Sequence, residues 1–266
     1  MTRPVAIITG ASRGIGAATA LELARRGYDL ALSARSAEAL EDVAGQARAL
    51  GAKAQIFAGD IADLAYAESA VRSTATHFGR IDLLVNNAAW RELTSMRNIS
   101  LASWEQTLRV CLTAPAFMSR WAAEYMEPAG RGAIINISSI MSQQAAGFSP
   151  AYIASKGAMD ALTYELASLY GASGIRVVAV SPGAIDTELS RDTADGPATD
   201  QIRSYSEDMI MLGRWGTAEE VARVIAFAAS DEASYMHGTC IVVDGGWRHQ
   251  HLPLSLRRAQ FPQEFP

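Results

Sequence analysis

Short apolar runs rich in valine and isoleucine recur along the chain: VAIIT at 5–9, DLALS at 29–33, AQIFAG at 54–59 and IDLLVNN at 81–87. GAIINIS at 132–138, IRVVAVS at 175–181 and CIVVDGG at 240–246 continue the series. Between them, apolar residues fall three and four apart over 15–26, 37–50, 64–78, 103–126, 152–170 and 218–230, the spacing of one helix face. Near-continuous apolar strands alternating with helices imply a parallel sheet buried on both sides by helical layers. The pattern therefore predicts an α/β fold: a single doubly wound domain over 1–246, with seven parallel strands and helices on both faces. One stretch, ELSRDTADGPATD at 188–200, breaks the rhythm and marks a candidate lid over about 188–212. Residues 247–266 carry neither period and are expected to form an extended tail.

Composition narrows the function classes. A net charge of −5 across 266 residues argues against nucleic acid and anionic membranes as partners. No run approaches the ~18 apolar residues of a membrane span. Two distant cysteines, Cys111 and Cys240, and four histidines without ligand spacing give neither a disulfide framework nor a metal site. The expected setting is the reducing cytoplasm.

The turn between the first strand and first helix reads TGASRGIG at 9–16, with Gly10, Gly14 and Gly16 where backbone N–H groups and the helix dipole can receive a pyrophosphate. The second strand ends Ser33-Ala34-Arg35-Ser36. An acid at that strand end would serve the ribose hydroxyls of NAD. Arg35 instead offers a fork for a 2′-phosphate, with Arg13 on the other side, so NADP(H) is expected. Farther on, PAYIASKGAMD at 150–160 sets Tyr152 and Lys156 on one helix face at i and i+4.

Together these features resemble the short-chain dehydrogenase/reductase family, from Val5 to Gly246. The dinucleotide turn matches Thr9 to Gly16, the adenine-contacting acid matches Asp60, and Asn86, Asn87 and Ala88 match an Asn-Asn-Ala-Gly motif whose last position is here Ala89. Ser139 matches the catalytic serine, and SPGAIDT matches the segment that clasps the nicotinamide. The resemblance implies a Rossmann oxidoreductase with Ser139, Tyr152 and Lys156 as catalytic residues. It also implies cofactor contacts from Gly10, Ser12, Arg13, Gly14, Ile15 and Gly16, and from Arg35, Asp60, Ile61, Asn87 and Ala88. Tyr152, Lys156, Pro182, Gly183, Ile185 and Thr187 complete that set. Tyr152 would exchange the proton, Lys156 would lower its pKa and hold the ribose, and Ser139 would donate to the substrate oxygen.

The implied reaction is NADP(H)-dependent reduction of a ketone to a secondary alcohol, or its reverse, with 3-oxoacyl-carrier reductases and sugar or polyol dehydrogenases as the two models. The alternative is a catalytically weak NADP(H)-binding sensor or scaffold. Trp90, Arg91, Met141, Gln144, Phe148, Leu189 and Met209 are expected around the substrate, and Ser138 and Ser142 only as small packing residues. The family also implies a homotetramer, or at least a dimer, built on Ala218–Ser230 and Cys240–Gly246. One departure stands out. Cys111 occupies the place of an asparagine that helps hold a relay water, and a thiol is expected to reproduce an amide's directed bonds poorly, leaving turnover limited by the relay and improvable by Cys111→Asn.

Overall fold

The computed structural model describes residues 3–192 and 199–265. Its strands are β1 (Val5–Thr9), β2 (Asp29–Ala34), β3 (Ala54–Ala58), β4 (Leu83–Asn86), β5 (Gly132–Ile137), β6 (Ile175–Pro182) and β7 (Thr239–Val243). All pair in parallel, in the order β3-β2-β1-β4-β5-β6-β7. Chain direction across the sheet reverses between β1 and β4, which opens a crevice at the carboxyl ends of those two strands.

Both faces are covered, because successive residues of a strand point to opposite sides. Ile8, Leu30, Leu32 and Val85 pack with α1 (Gly14–Arg25), α2 (Ala37–Ala49) and α9 (Ala218–Ala229). Ile7, Leu84, Ile134 and Val177 pack on the other side. The helices there are α3 (Leu64–Phe78), α4 (Leu101–Leu108), α5 (Ala114–Met126) and α6 (Pro150–Tyr170).

Three expectations change. The helix read over 103–126 is two helices, α4 and α5, joined by a five-residue π turn at Arg109–Thr113 that contains Cys111. Pro115 supplies the reason: it has no N–H to give the carbonyl four residues back, so the ladder widens and Ala114 N–H bonds to Arg109 O. The candidate lid is largely helical where described, as α7 (Glu188–Asp192) and α8 (Thr199–Met209), while 193–198 lie outside the described residues.

The tail is not extended. A single 3₁₀ turn at Trp247–His249 precedes α10 (Leu254–Gln260). Asp208 near the end of α8 accepts from Ser255 N (2.7 Å) and Ser255 Oγ (2.6 Å), satisfying orphan donors at the start of α10. Phe261 and Phe265 pair with their ring centres 6.5 Å apart, and the Arg257 guanidinium lies 5.3 Å from the centre of the Phe265 ring.

At the start of α9, Thr217 and Glu220 form a capping box: Thr217 Oγ1 accepts from Glu220 N, and Glu220 Oε2 accepts from Thr217 N (2.8 Å). Just before it, Gly216 bonds to Ala184 O and to Asp186 N, so this cap also fixes the loop that follows β6. The Arg214 guanidinium on Glu220, helped by the Thr217 N–H, holds the Glu220 carboxyl down at about 2 from its ordinary 4.5. A carboxylate depressed in the folded state stabilises above its unfolded pKa, and that contribution disappears as pH falls through the folded one. Glu220→Gln keeps a cap acceptor but no charge. Urea unfolding between pH 4.5 and 2 is expected to show a smaller acid-dependent fall of the midpoint in Glu220→Gln than in the native chain.

Candidate active site

The glycine turn is built by steric demand as much as by ligand access. Gly10 and Gly14 adopt φ of 64° and 54°, which side chains disfavour. Gly16 has an ordinary backbone, but a Cβ there would overlap Gly10 O and the Asn87 amide. Asn87 Nδ2 donates to Thr9 O (2.9 Å) and Gly10 O (3.2 Å), and Thr9 Oγ1 accepts from Asn87 N (2.9 Å) and Ala88 N (3.0 Å). Thr9 thus locks the ends of β1 and β4 to each other. Arg13, at the cap position of α1, makes no side-chain cap bond. The first-turn N–H groups of that helix are therefore left for a ligand.

A cleft of about 630 Å³ opens over this turn. Gly10, Ser12, Arg13, Gly14 and Ile15 line one part, Arg35, Asp60 and Ile61 another, and Asn87, Ala88 and Thr187 a third. Gly16, Tyr152, Lys156, Pro182, Gly183 and Ile185 are not on its wall. Gly183 N bonds to Val243 O (2.9 Å), and Ile185 pairs with Gly216, so these residues set the loop that delivers Thr187. Arg35 is exposed at the end of the cleft, next to Ser36, whose Oγ accepts from Ala39 N (3.2 Å) to cap α2. The N-terminus of α2 and the side chains of Arg13 and Arg35 thus border the same cleft. Below them Tyr66 OH donates to Phe57 O (2.6 Å) and lies 3.0 Å from Ser33 Oγ, pinning β2 to β3. Tyr66 is a site-shaping residue that no motif announced.

Ser139, Tyr152 and Lys156 are brought together at the end of β5. They are 8%, 8% and 3% exposed. Lys156 Nζ donates to Ile137 O at 2.6 Å and stands 5.4 Å from the centre of the Tyr152 ring. Ser139 Oγ accepts from Met141 N (3.2 Å). That contact takes up a lone pair and leaves the hydroxyl proton for another acceptor. Ser138, expected to be packing only, donates to Lys156 O (3.3 Å) and so fixes the lysine's backbone. Behind the dyad, Asn86 Nδ2 donates to Asn136 Oδ1 (2.9 Å) and Ser119 Oγ (3.1 Å), and Asn136 Nδ2 donates to Thr163 Oγ1 (3.0 Å). This chain ties β4, β5, α5 and α6 together beneath the site. Its signal in the sequence was a polar residue inside an apolar strand, which a buried position tolerates only when bonded.

The three segments expected near the substrate also converge. Thr94 N bonds to Phe148 O (2.9 Å), and Arg91 Nη2 donates to Leu189 O (3.1 Å). The Arg91 guanidinium lies 5.4 Å from the centre of the Tyr152 ring. Trp90, Met141, Gln144 and Met209 are half-buried. His237 is spent structurally: Nδ1 accepts from Val177 N (3.1 Å), and Nε2 lies 2.9 Å from Ala167 O. Among the described residues no group of three or more His, Cys, Asp or Glu could hold a metal.

Cys111 spends its thiol on a neighbouring peptide group. Its Sγ accepts from Trp90 N (3.4 Å) and donates to Trp90 O (3.3 Å), so the thiol makes both directed contacts that an amide would make to one peptide group. Thr107, one turn before it, donates from Oγ1 to Ser103 O (2.8 Å).

The comparisons agree with this geometry. Residues 10–248 match a family model described as enoyl-(acyl carrier protein) reductase. The chain belongs to the short-chain dehydrogenase/reductase family. It is 36% identical to D-threitol dehydrogenase of Mycolicibacterium smegmatis, over 91% of this chain and 92% of that protein. It is 39% identical to cis-4-hydroxycyclohexanecarboxylate dehydrogenase of Sinomonas cyclohexanicum, over 91% and 96%. A solved short chain dehydrogenase of Burkholderia cenocepacia in complex with NADP superposes with a TM-score of 0.84 at 34% identity, covering 92% of this chain and 97% of that one. The short-chain family member described here is an oxidoreductase of the carbonyl–alcohol type that uses a nicotinamide dinucleotide. Within its described residues no helix is long and apolar enough to cross a membrane.

Cys111 is fully buried, and its loss would strand a peptide group on the wall of the cleft. Cys111→Ala is expected to lower stability by about 1–3 kcal/mol, the cost of leaving buried polar groups unpaired. Chemical denaturation measures the stability loss, and the same variant should turn over more slowly because Trp90 loosens.

Proposed function

We propose that the protein is an NADP(H)-dependent oxidoreductase that interconverts a ketone and a secondary alcohol, working in the cytoplasm as a homotetramer or dimer. The observation that carries the reading is the meeting of Ser139, Tyr152 and Lys156 at the end of β5, in a fold whose cleft over the glycine turn is lined by Arg13 and Arg35. When bound, the cofactor supplies or accepts the hydride. Tyr152 gives or takes the proton at the substrate oxygen, and Ser139 donates a hydrogen bond to that oxygen as negative charge develops on it. Lys156, one helical turn from Tyr152, places a positive charge against the phenol and fixes the end of β5 through Ile137 O. The relatives named for a polyol and for a hydroxy acid support the sugar- or polyol-dehydrogenase model over a sensor or scaffold.

Cofactor choice rests on Arg35. A charge-assisted bond contributes about 1.5–3 kcal/mol, so Arg35→Asp is expected to weaken NADPH binding roughly ten- to a hundred-fold while NADH binding gains. Equal affinities in the native protein would remove Arg35 from the site. Spectrophotometric NADPH oxidation against ketones, β-ketoacyl thioesters and keto sugars tests the activity. Tyr152→Phe should cost about 10²–10⁴-fold in rate, and full activity in that variant would refute the assignment. Light scattering tests assembly, and a monomer at micromolar concentration would contradict it.

A further inference from the structure

The chain does not trail off after residue 248, where the family match ends. Gln250, 8% exposed, turns it back: Nε2 donates to Leu252 O (2.7 Å), and Oε1 accepts from Arg257 Nη2 (2.7 Å). The turn sets α10 against α8, with Leu254 packed beside Gly213. Asp208 then commits both carboxylate oxygens to one residue of α10, Oδ1 to Ser255 N (2.7 Å) and Oδ2 to Ser255 Oγ (2.6 Å). Seven residues are too few to stay helical alone, so α10 keeps its shape through this anchor, whose negative charge sits at the positive end of the helix dipole.

Helix α8 is tied in turn to the cleft. Residues two apart do not share a helix face, so Ser206 meets a different neighbour from Asp208. Its Oγ accepts from Trp215 Nε1 (2.7 Å), and the Arg203 guanidinium lies 4.9 Å from the centre of the Trp215 ring. Just past α8, the buried Ile210 lies against Gly245, and Leu212 N donates to Gly245 O (3.1 Å). The residue after Trp215, Gly216, donates to Ala184 O (3.0 Å) and accepts from Asp186 N (2.9 Å). Asp186 precedes Thr187, Glu188 and Leu189, three residues on the wall of the cleft. Asp208 is not on that wall, so its effect on a substrate must pass along this chain of contacts.

We propose that Asp208 is a positioning residue: by anchoring α10 it clamps α8 between the tail and Trp215, and through Gly216 it fixes the cleft wall at 187–189 for the substrate. The tail helix is the strap of this clamp. The assignment deepens the oxidoreductase reading of the same cleft and rests on it for the effect on turnover.

The test pairs steady-state kinetics with hydrogen–deuterium exchange, both at saturating NADPH, on Asp208→Ala and Asp208→Asn. The asparagine can rebuild both contacts without the charge, Oδ1 accepting from Ser255 N and Nδ2 donating to Ser255 Oγ. With the ketone that the native protein reduces fastest, Asp208→Ala should raise KM roughly ten-fold and lower kcat by less, the scale set by losing a hydrogen-bonded charged anchor. Amides of 187–192 and 199–209 should exchange roughly ten-fold faster, while those of β1 and α1 keep their native rates. Asp208→Asn should recover most of both effects. Ser255→Ala, an exposed position where only one of the two bonds is lost, should move both readouts the same way by less, and it decides the matter if Asp208→Ala fails to fold. If α10 alone exchanges faster while KM stays native, or if kcat falls with KM unchanged, the clamp is overturned and the ketone-reductase reading stands. If the native protein reduces no ketone, the oxidoreductase reading falls, and exchange at 187–189 alone then supports or overturns the clamp.

Discussion

A lysine ammonium that is 3% exposed must be satisfied where it lies, since an unpaired buried charge costs far more than a domain can spare. Lys156 meets this demand with the carbonyl of Ile137, the last residue of β5. Much of the site follows from that bond. It draws the Tyr152 face of α6 to the end of the sheet, and Ser138 holds the lysine's own carbonyl from the same strand end. The Asn86–Asn136–Thr163 chain then secures β4, β5 and α6 in one register. Where β4 ends, Asn87 and Ala88 are fixed to Thr9, which carries the register into the glycine turn.

The crevice itself is a product of strand order. Because β1 and β4 are neighbours and the connections diverge from them, their carboxyl ends are open to a dinucleotide. Loops from β4, β5 and β6 then close around the other end, through Thr94 to Phe148 and Arg91 to Leu189. The substrate side is thus held by a few bonds between loops, whereas the cofactor side is held by buried strand ends. This division suits a scaffold with a common cofactor and a variable substrate.

Much of this was legible in the sequence because the relevant signals are local. The seven apolar runs became the seven strands, and i, i+4 spacing put Tyr152 beside Lys156. What escaped depended on contacts between distant segments or on a single backbone rule. The partner of the Cys111 thiol, the Trp90 peptide, is 21 residues away and becomes visible only when folded. The break between α4 and α5 was written in Pro115, yet apolar periodicity ran straight through it. The tail helix α10 needs Asp208, 47 residues before Ser255, to anchor its first turn. Ser138 and Tyr66 carry no motif and acquire their roles from neighbours alone.

The proposed reaction moves a hydride between a nicotinamide and a carbonyl carbon while the protein manages the proton. Turnover of a ketone with NADPH deuterated at both C4 positions, in ordinary water, tests it most directly. Mass spectrometry and NMR should find one deuterium per product molecule, on the carbinol carbon and nowhere else. Alcohol formed without that label, or no alcohol from any ketone despite bound NADPH, would contradict hydride transfer at this site.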